Sequence, residues 1–203
     1  MPTANSVIAP LPDSARRSVH RRSWGWMVAL IVLVVLVGGG YGMYAMSNAM
    51  ATGQYASRIA AGTDAGTLSI PKFGSDYAVP IIRGTSLGDL RQGVGWYDGT
   101  AAPGQYGNFA ITGHRLGWGQ PFAELGQLQV GDQIVVTTAT ATYTYNVTTA
   151  PMVVSDKDNA ILAAVPGGVG QPPAKALITL TTAASVLPSP ERLVVIGELA
   201  SQA

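Results

Sequence analysis

At 203 residues the chain has room for one domain of ordinary size, and only 11% of its residues are charged while Gly, Thr, Val and Ala abound, a balance that favours β structure in an exported protein. The formal net charge of +1 is unevenly placed: residues 1–22 carry four arginines against Asp13, and the remainder carries eight basic residues against ten acidic ones. Basic charge confined to one end is a topology signal and excludes a nucleic-acid surface, and the absence of cysteine excludes disulfides, thiolate zinc sites and a cysteine nucleophile in the chain as it stands.

Residues 1–15 mix Pro, Ser, Ala and Asn without periodicity and read as a short disordered tail. Arg16, Arg17, Arg21 and Arg22 then complete a basic N-terminal segment, residues 1–22. From Trp24 to Met46 there is no charged residue, and the run WMVALIVLVVLV is apolar on every face, which rules out an amphipathic soluble helix. At ~1.5 Å per residue such a stretch reaches ~35 Å, enough to cross a ~30 Å hydrocarbon layer, so residues 23–46 are expected to be a transmembrane helix. Trp24 and Trp26 at one end and Tyr41 and Tyr44 at the other suit the two interfaces, and the arginines place the N-terminus in the cytoplasm and everything after the span outside the cell. The competing reading is a cleaved signal peptide, since Ser47-Asn48-Ala49 resembles a small-residue cleavage site, but the apolar stretch exceeds the usual signal core.

Residues 47–66, with Gly53, Gly62 and Gly66, are expected to form a stalk with a helical turn or two near Tyr55–Ala60. A globular domain over 67–203 follows. Leu68–Pro71 and Tyr77–Ile82 read as short strands joined by a Gly-Ser-Asp turn. Thr85 or Ser86 is a helix N-cap, and the short helix it starts ends before Gly93 or Gly95. WYDGTAAPGQYGN is dense in turn signals and predicts a structured loop, after which Phe109–Thr112 is a strand ending in Gly113-His114-Arg115. Pro121 opens about one helical turn over 122–128, and the turn at 130–133 leads into a strand over 134–138. The alternation of Tyr143, Tyr145, Val147 and Thr149 marks a half-buried strand, and Val153-Val154 continues the sheet. Residues 155–175 form the longest loop, the position of which before the next strand suggests one wall of a substrate groove. The β-branched run Leu177–Thr182 then stops at Ala183, a Pro-punctuated loop follows, and a last apolar run opens with Arg192.

Three positions therefore fall at strand ends: His114, Ala183 and Arg192. Singly, a histidine after a glycine is most often a polar loop residue, and an arginine beside Glu191 an ordinary solvated charge. Jointly, ITGHR at 111–115, TLTTA at 179–183 and an arginine nine residues on resemble the sortases, membrane-anchored transpeptidases of Gram-positive bacteria whose TLxTC strand ends in the nucleophilic cysteine. LSIP at 68–71 matches the strand that opens their barrel, and GNFAITGHR with GQPFAEL at 119–125 is particularly similar to the class E sortases of actinobacteria. The resemblance covers residues 67–200. It implies a mainly β fold: a closed eight-stranded barrel with short helices, preceded by the single transmembrane helix.

The same resemblance implies the chemistry. Position 183 would hold the nucleophile, His114 would protonate the leaving amine and deprotonate the incoming one, Arg192 would face the oxyanion, and Thr182 would help orient the acyl group. The implied substrate is an LPxTG-like or LAxTG-like sorting signal cleaved between Thr and Gly, and the implied acceptor is an amine of a cell-wall precursor or pilin. Asp156, Asp158 and Glu124 are scattered and show no oxygen-ligand spacing, so no metal or other cofactor is expected.

The departure lies at position 183, where alanine offers only a methyl group and no thioester can form. The nearby hydroxyls of Thr181, Thr182 and Ser185 are not substitutes, since an unactivated hydroxyl is a far weaker nucleophile than a thiolate. The chain is thus expected to be catalytically dead, either through a single Cys-to-Ala replacement, which retention of His114, Thr182 and Arg192 favours, or as a natural pseudoenzyme that binds sorting signals or envelope proteins.

Overall fold

The computed structural model describes residues 14–61 and 65–203, with side chains of the first segment described over 26–46, 49–51 and 53–60. The expected disordered tail falls almost wholly on residues outside this set, as do the arginine side chains of the basic segment. The first element, α1, is one helix from Ser14 to Ala61. Among the described residues one stretch of it is long and apolar enough to cross a membrane, and its side chains from Trp26 to Val37 are exposed all round, as a helix solvated by lipid requires.

Where a glycine-punctuated stalk is expected, the chain stays helical through Ala61. The reason is local and tertiary together. The segment is rich in Ala, the best helix former, and Ala51 and Tyr55, four residues apart on one face, are buried in the same apolar cluster as the barrel interior. Packing of that face outweighs the cost of Gly53 in the helix, about 1 kcal/mol against alanine.

Nine strands follow: β1 Gly66–Ser69, β2 Val79–Arg83, β3 Val94–Trp96, β4 Gly107–Thr112, β5 Gln133–Thr137, β6 Thr142–Val147, β7 Met152–Ser155, β8 Ala176–Ala183 and β9 Glu191–Gln202. Eight of them close on themselves in the order β6, β5, β1, β2, β3, β4, β8, β9 and back to β6, as the sequence leads one to expect. The ninth, β7, joins because β9 is twelve residues long. Its first part, from Glu191 to Val194, pairs with β7, and its later part, from Gly197 to Gln202, closes the barrel against β6. Two pairings are parallel, β2 with β3 and β4 with β8, while the other strand pairs run antiparallel.

The barrel is filled by Leu68, Ile81, Phe109, Ile111, Ile134, Tyr145, Ile178, Leu180 and Val195, with Phe122 and Leu125 from the connection after β4 closing one end. Strands β4 and β8 are covered on both faces, so even their polar residues are buried and must find partners. Thr179 donates to Asn108 Oδ1 at 2.7 Å, and Asn108 Nδ2 in turn donates to the carbonyl of Ile161 at 3.0 Å. That second bond fastens the long 155–175 connection, which is ordered further by a short 3-10 turn over Asn159–Leu162 capped by Asp158. The short helix α2, Leu87–Leu90, starts with a capping box in which Ser86 and Asp89 satisfy each other's backbone.

Candidate active site

Parallel pairing of β4 with β8 sets the site. Thr112 lies opposite Thr181, so the two strands run out side by side, and Gly113 N still donates to Thr181 O at 3.2 Å one residue beyond. His114 follows at the end of β4 and Ala183 ends β8. Antiparallel β9 begins at this same rim, where its register sets Arg192 directly opposite Ala183. Three strand ends thus bring together the three residues singled out by the sequence.

His114 is half-buried, and its Nε2 is buried with no hydrogen-bond partner among the described residues. Burial first, and the nearby Arg91 guanidinium second, hold its pKa below the ordinary 6.5, so the ring is neutral near pH 7. Arg91 in turn lies over the ring of Trp118, 4.4 Å from its centre. Arg192 donates from Nη1 to the hydroxyl of Tyr97 at 2.7 Å, and that hydroxyl lies 3.4 Å from Thr181 Oγ1. An uncharged partner leaves the guanidinium with its full charge and further N–H groups to offer an oxyanion.

Thr182 is buried and donates to Gly113 O at 2.8 Å, tying β8 to the residue before His114. Ala183 itself is exposed. A cleft of about 350 Å³ opens beside it, with Tyr97, Thr112, Thr182, Ala183 and Arg192 among its walls. Of the long 155–175 connection, Asp156 alone lines this cleft; Thr85 and Leu90, Ser189 from the β8–β9 connection and Glu191 at the start of β9 complete its walls, and His114 is not among them. The longer loop thus gives the cleft a single residue. Among the described residues no three His, Asp or Glu side chains converge as metal ligands would.

Two functional candidates escape a reading of the sequence. Arg115 reaches across to the strand end, donating from Nη1 to the carbonyls of Ala183 at 3.1 Å and Ala184 at 3.0 Å. Tyr97 comes from the turn-rich loop after β3 and meets Arg192 ninety-five residues away. Arg115 stands inside the ITGHR motif and so carried a signal of position. Tyr97 carried none, because only the strand order β3, β4, β8, β9 brings its loop to this rim.

A family model described as the sortase domain matches residues 68–200, the whole barrel. The chain belongs to the sortase family. Sortase SrtE1 of Streptomyces coelicolor is 36% identical over 142 residues, an alignment covering 66% of this chain and 40% of that protein. The solved structure of sortase E from Streptomyces avermitilis superposes with a TM-score of 0.63 at 35% identity, covering 70% of this chain and 91% of that one. A crystal structure of sortase E1 from Streptomyces coelicolor with a tripeptide in its active site superposes at 0.61 and 34% identity, covering 70% and 90%. These relatives agree with the class E character read from GNFAITGHR. The chain spans less than half the length of the SrtE1 relative, and the substrates and activity of this sortase are therefore proposed from its own barrel.

Proposed function

We propose that this chain is a membrane-anchored sortase whose transpeptidation is silenced at one atom position, the missing sulfur at residue 183. The observation that supports this reading is that Ala183, His114 and Arg192 stand at three strand ends on one rim, beside a cleft lined by Ala183 and Arg192. With a thiol at 183 the groups present support a complete cycle. Neutral His114 takes the thiol proton as the sulfur attacks the Thr carbonyl carbon of a sorting signal, and the oxyanion that develops is met by the Arg192 guanidinium. His114 then gives that proton to the Gly nitrogen as the C–N bond breaks, leaving a thioester. An incoming amine, from a cell-wall precursor or a pilin, then gives its proton to His114, attacks the thioester and releases the sulfur. No metal, cofactor or nucleic acid enters this scheme.

The α1 span would hold the barrel at the outer face of the cell membrane, with the arginine-rich N-terminus in the cytoplasm. Ala183→Cys is expected to give thiol-dependent cleavage of LPxTG or LAxTG peptides, abolished by His114→Ala or Arg192→Ala in the same background. A restored protein inert towards both peptide classes contradicts the proposal.

A second reading rests on the cleft. Its walls at Tyr97, Thr112, Thr182 and Arg192 do not depend on the sulfur, so the unmodified chain would retain sorting-signal peptides without cutting them. Calorimetry with the unmodified protein decides this: saturable heat on adding peptide supports a binding role, and its absence removes it.

A further inference from the structure

We propose that Tyr55, on the last turns of α1, is a positioning residue for His114: by gripping the loop over residues 116–120 it fixes the segment that leaves the histidine, so the anchor helix completes the site of the barrel. The inference rests on reading His114 as the acid and base of the sortase reaction.

The loop is held in a conformation that it would not adopt by itself. Gly117, Trp118, Gly119 and Gln120 have φ of 74°, 50°, 77° and 40°, four successive residues in the left-handed region, two of which carry side chains. Its base is closed by Phe122 N donating to His114 O at 3.0 Å, and its far end by Tyr77, which donates to Pro121 O at 2.7 Å. The middle is held by α1. Tyr55 donates to the carbonyl of Trp118 at 2.6 Å, and its ring lies so close to Gly119 that a Cβ there would fall 2.8 Å from it. Burial pushes the Tyr55 phenol up to about 12, which keeps it a donor across the working range.

What this grip controls is the environment of His114. Trp118 is the residue on which Arg91 lies, and Arg91 acts on His114. The other charged side chains on elements meeting at this rim are Arg115, Arg192, Asp156 and Glu191. Freeing the Trp118 carbonyl would let the loop relax, admit water to the imidazole and release Arg91 from its place. Both changes favour the protonated ring.

The test uses the full chain in detergent micelles and needs no catalysis. The protein has two histidines, His20 and His114, so His20→Gln leaves one imidazole signal to follow by NMR as pH is varied. Tyr55→Phe removes the donor and keeps the ring, Tyr55→Ala removes both, and Tyr145→Phe is the control, since it deletes another part-buried hydroxyl–backbone bond, the one that Tyr145 accepts from Gly104 N elsewhere in the barrel. The expected result is a changed His114 signal and a midpoint moved up towards 6.5 in both Tyr55 variants, with Tyr145→Phe leaving the signal and midpoint as they were. An unaltered signal and midpoint in Tyr55→Phe overturns the proposal, even if Tyr55→Ala fails to fold. In the Ala183→Cys background Tyr55→Phe is expected to lower kcat with KM little changed. Should that background prove inert, the sortase reading fails while the NMR result still decides whether α1 positions His114.

Discussion

His114 sits half out of water with a cation nearby, and both conditions penalise its charged form. A histidine whose pKa is lower folded than unfolded binds its proton less well in the native state. Its contribution to stability is fully present above the unfolded value near 6.5 and is lost as pH falls through the lower folded value. The melting temperature should therefore drop between about pH 7 and about pH 5 by more in the unmodified chain than in His114→Gln, and parallel curves would contradict the assignment. Arg115 predicts a different signature. Its two bonds to the Ala183 and Ala184 carbonyls involve a charged donor, each such bond being worth about 1.5–3 kcal/mol at partly buried sites and less where water competes. Arg115→Ala in the Ala183→Cys background should cut kcat about tenfold or more, and Arg115→Lys, with one ammonium for two carbonyls, should rescue only part of it. At this scale the strand-end placement of His114, Ala183 and Arg192 was legible, because the first two stand in recognisable motifs and the third at a fixed spacing after them. Tyr97 and the Arg91–Trp118 pair were invisible, since nothing local says what a loop side chain will meet across a barrel.

Strands with strong period-2 or β-branched character were legible, β4, β5, β6 and β8 above all, and the Ser86 cap was legible to within one residue. β3 was not. Val94-Gly95-Trp96 is too short to show a period, and its glycine, ordinarily a strand breaker, is demanded by the approach of a neighbour: a Cβ on Gly95 would fall 2.4 Å from the Gly84 carbonyl oxygen. Of the helix through residues 47–61 only the turn or two near Tyr55–Ala60 was legible, its glycines being conspicuous and the burial of Ala51 and Tyr55 a tertiary fact. Hydrogen bonds within and between elements can be tested one at a time. Ser86→Ala removes the cap of α2 and should cost about 0.5–2 kcal/mol in denaturant unfolding. Thr179→Val keeps the shape but leaves the buried Asn108 Oδ1 without its donor, and should cost about 1–3 kcal/mol. A loss within error for the second would mean that the buried Thr179–Asn108 pair adds nothing to the β4–β8 packing.

The barrel as a whole explains how residues as distant in sequence as 97, 114, 183 and 192 come to one rim. Closure of β6 on β9 leaves the eight-stranded ring with no free edge there, and the parallel β4–β8 pair aligns the two strand ends that matter. Closure was read through the family likeness, whereas the strand order was not read from the sequence at all, since periodicity yields strands without an order. For the proposed membrane topology, the absence of cysteine permits a clean test. A membrane-impermeant maleimide should label Ala203→Cys on intact cells and should reach Ser18→Cys only after lysis; the reverse pattern would refute the proposed orientation. The central claim, a sortase site complete but for one sulfur, is tested most directly by intact-mass spectrometry of the Ala183→Cys protein incubated with an LPxTG or LAxTG peptide and no acceptor amine. The predicted result is an added mass equal to the peptide up to and including its Thr acyl group, removed by hydroxylamine and absent from the unmodified chain. An unmodified mass for the cysteine protein, with the peptide bound and uncut, would contradict it.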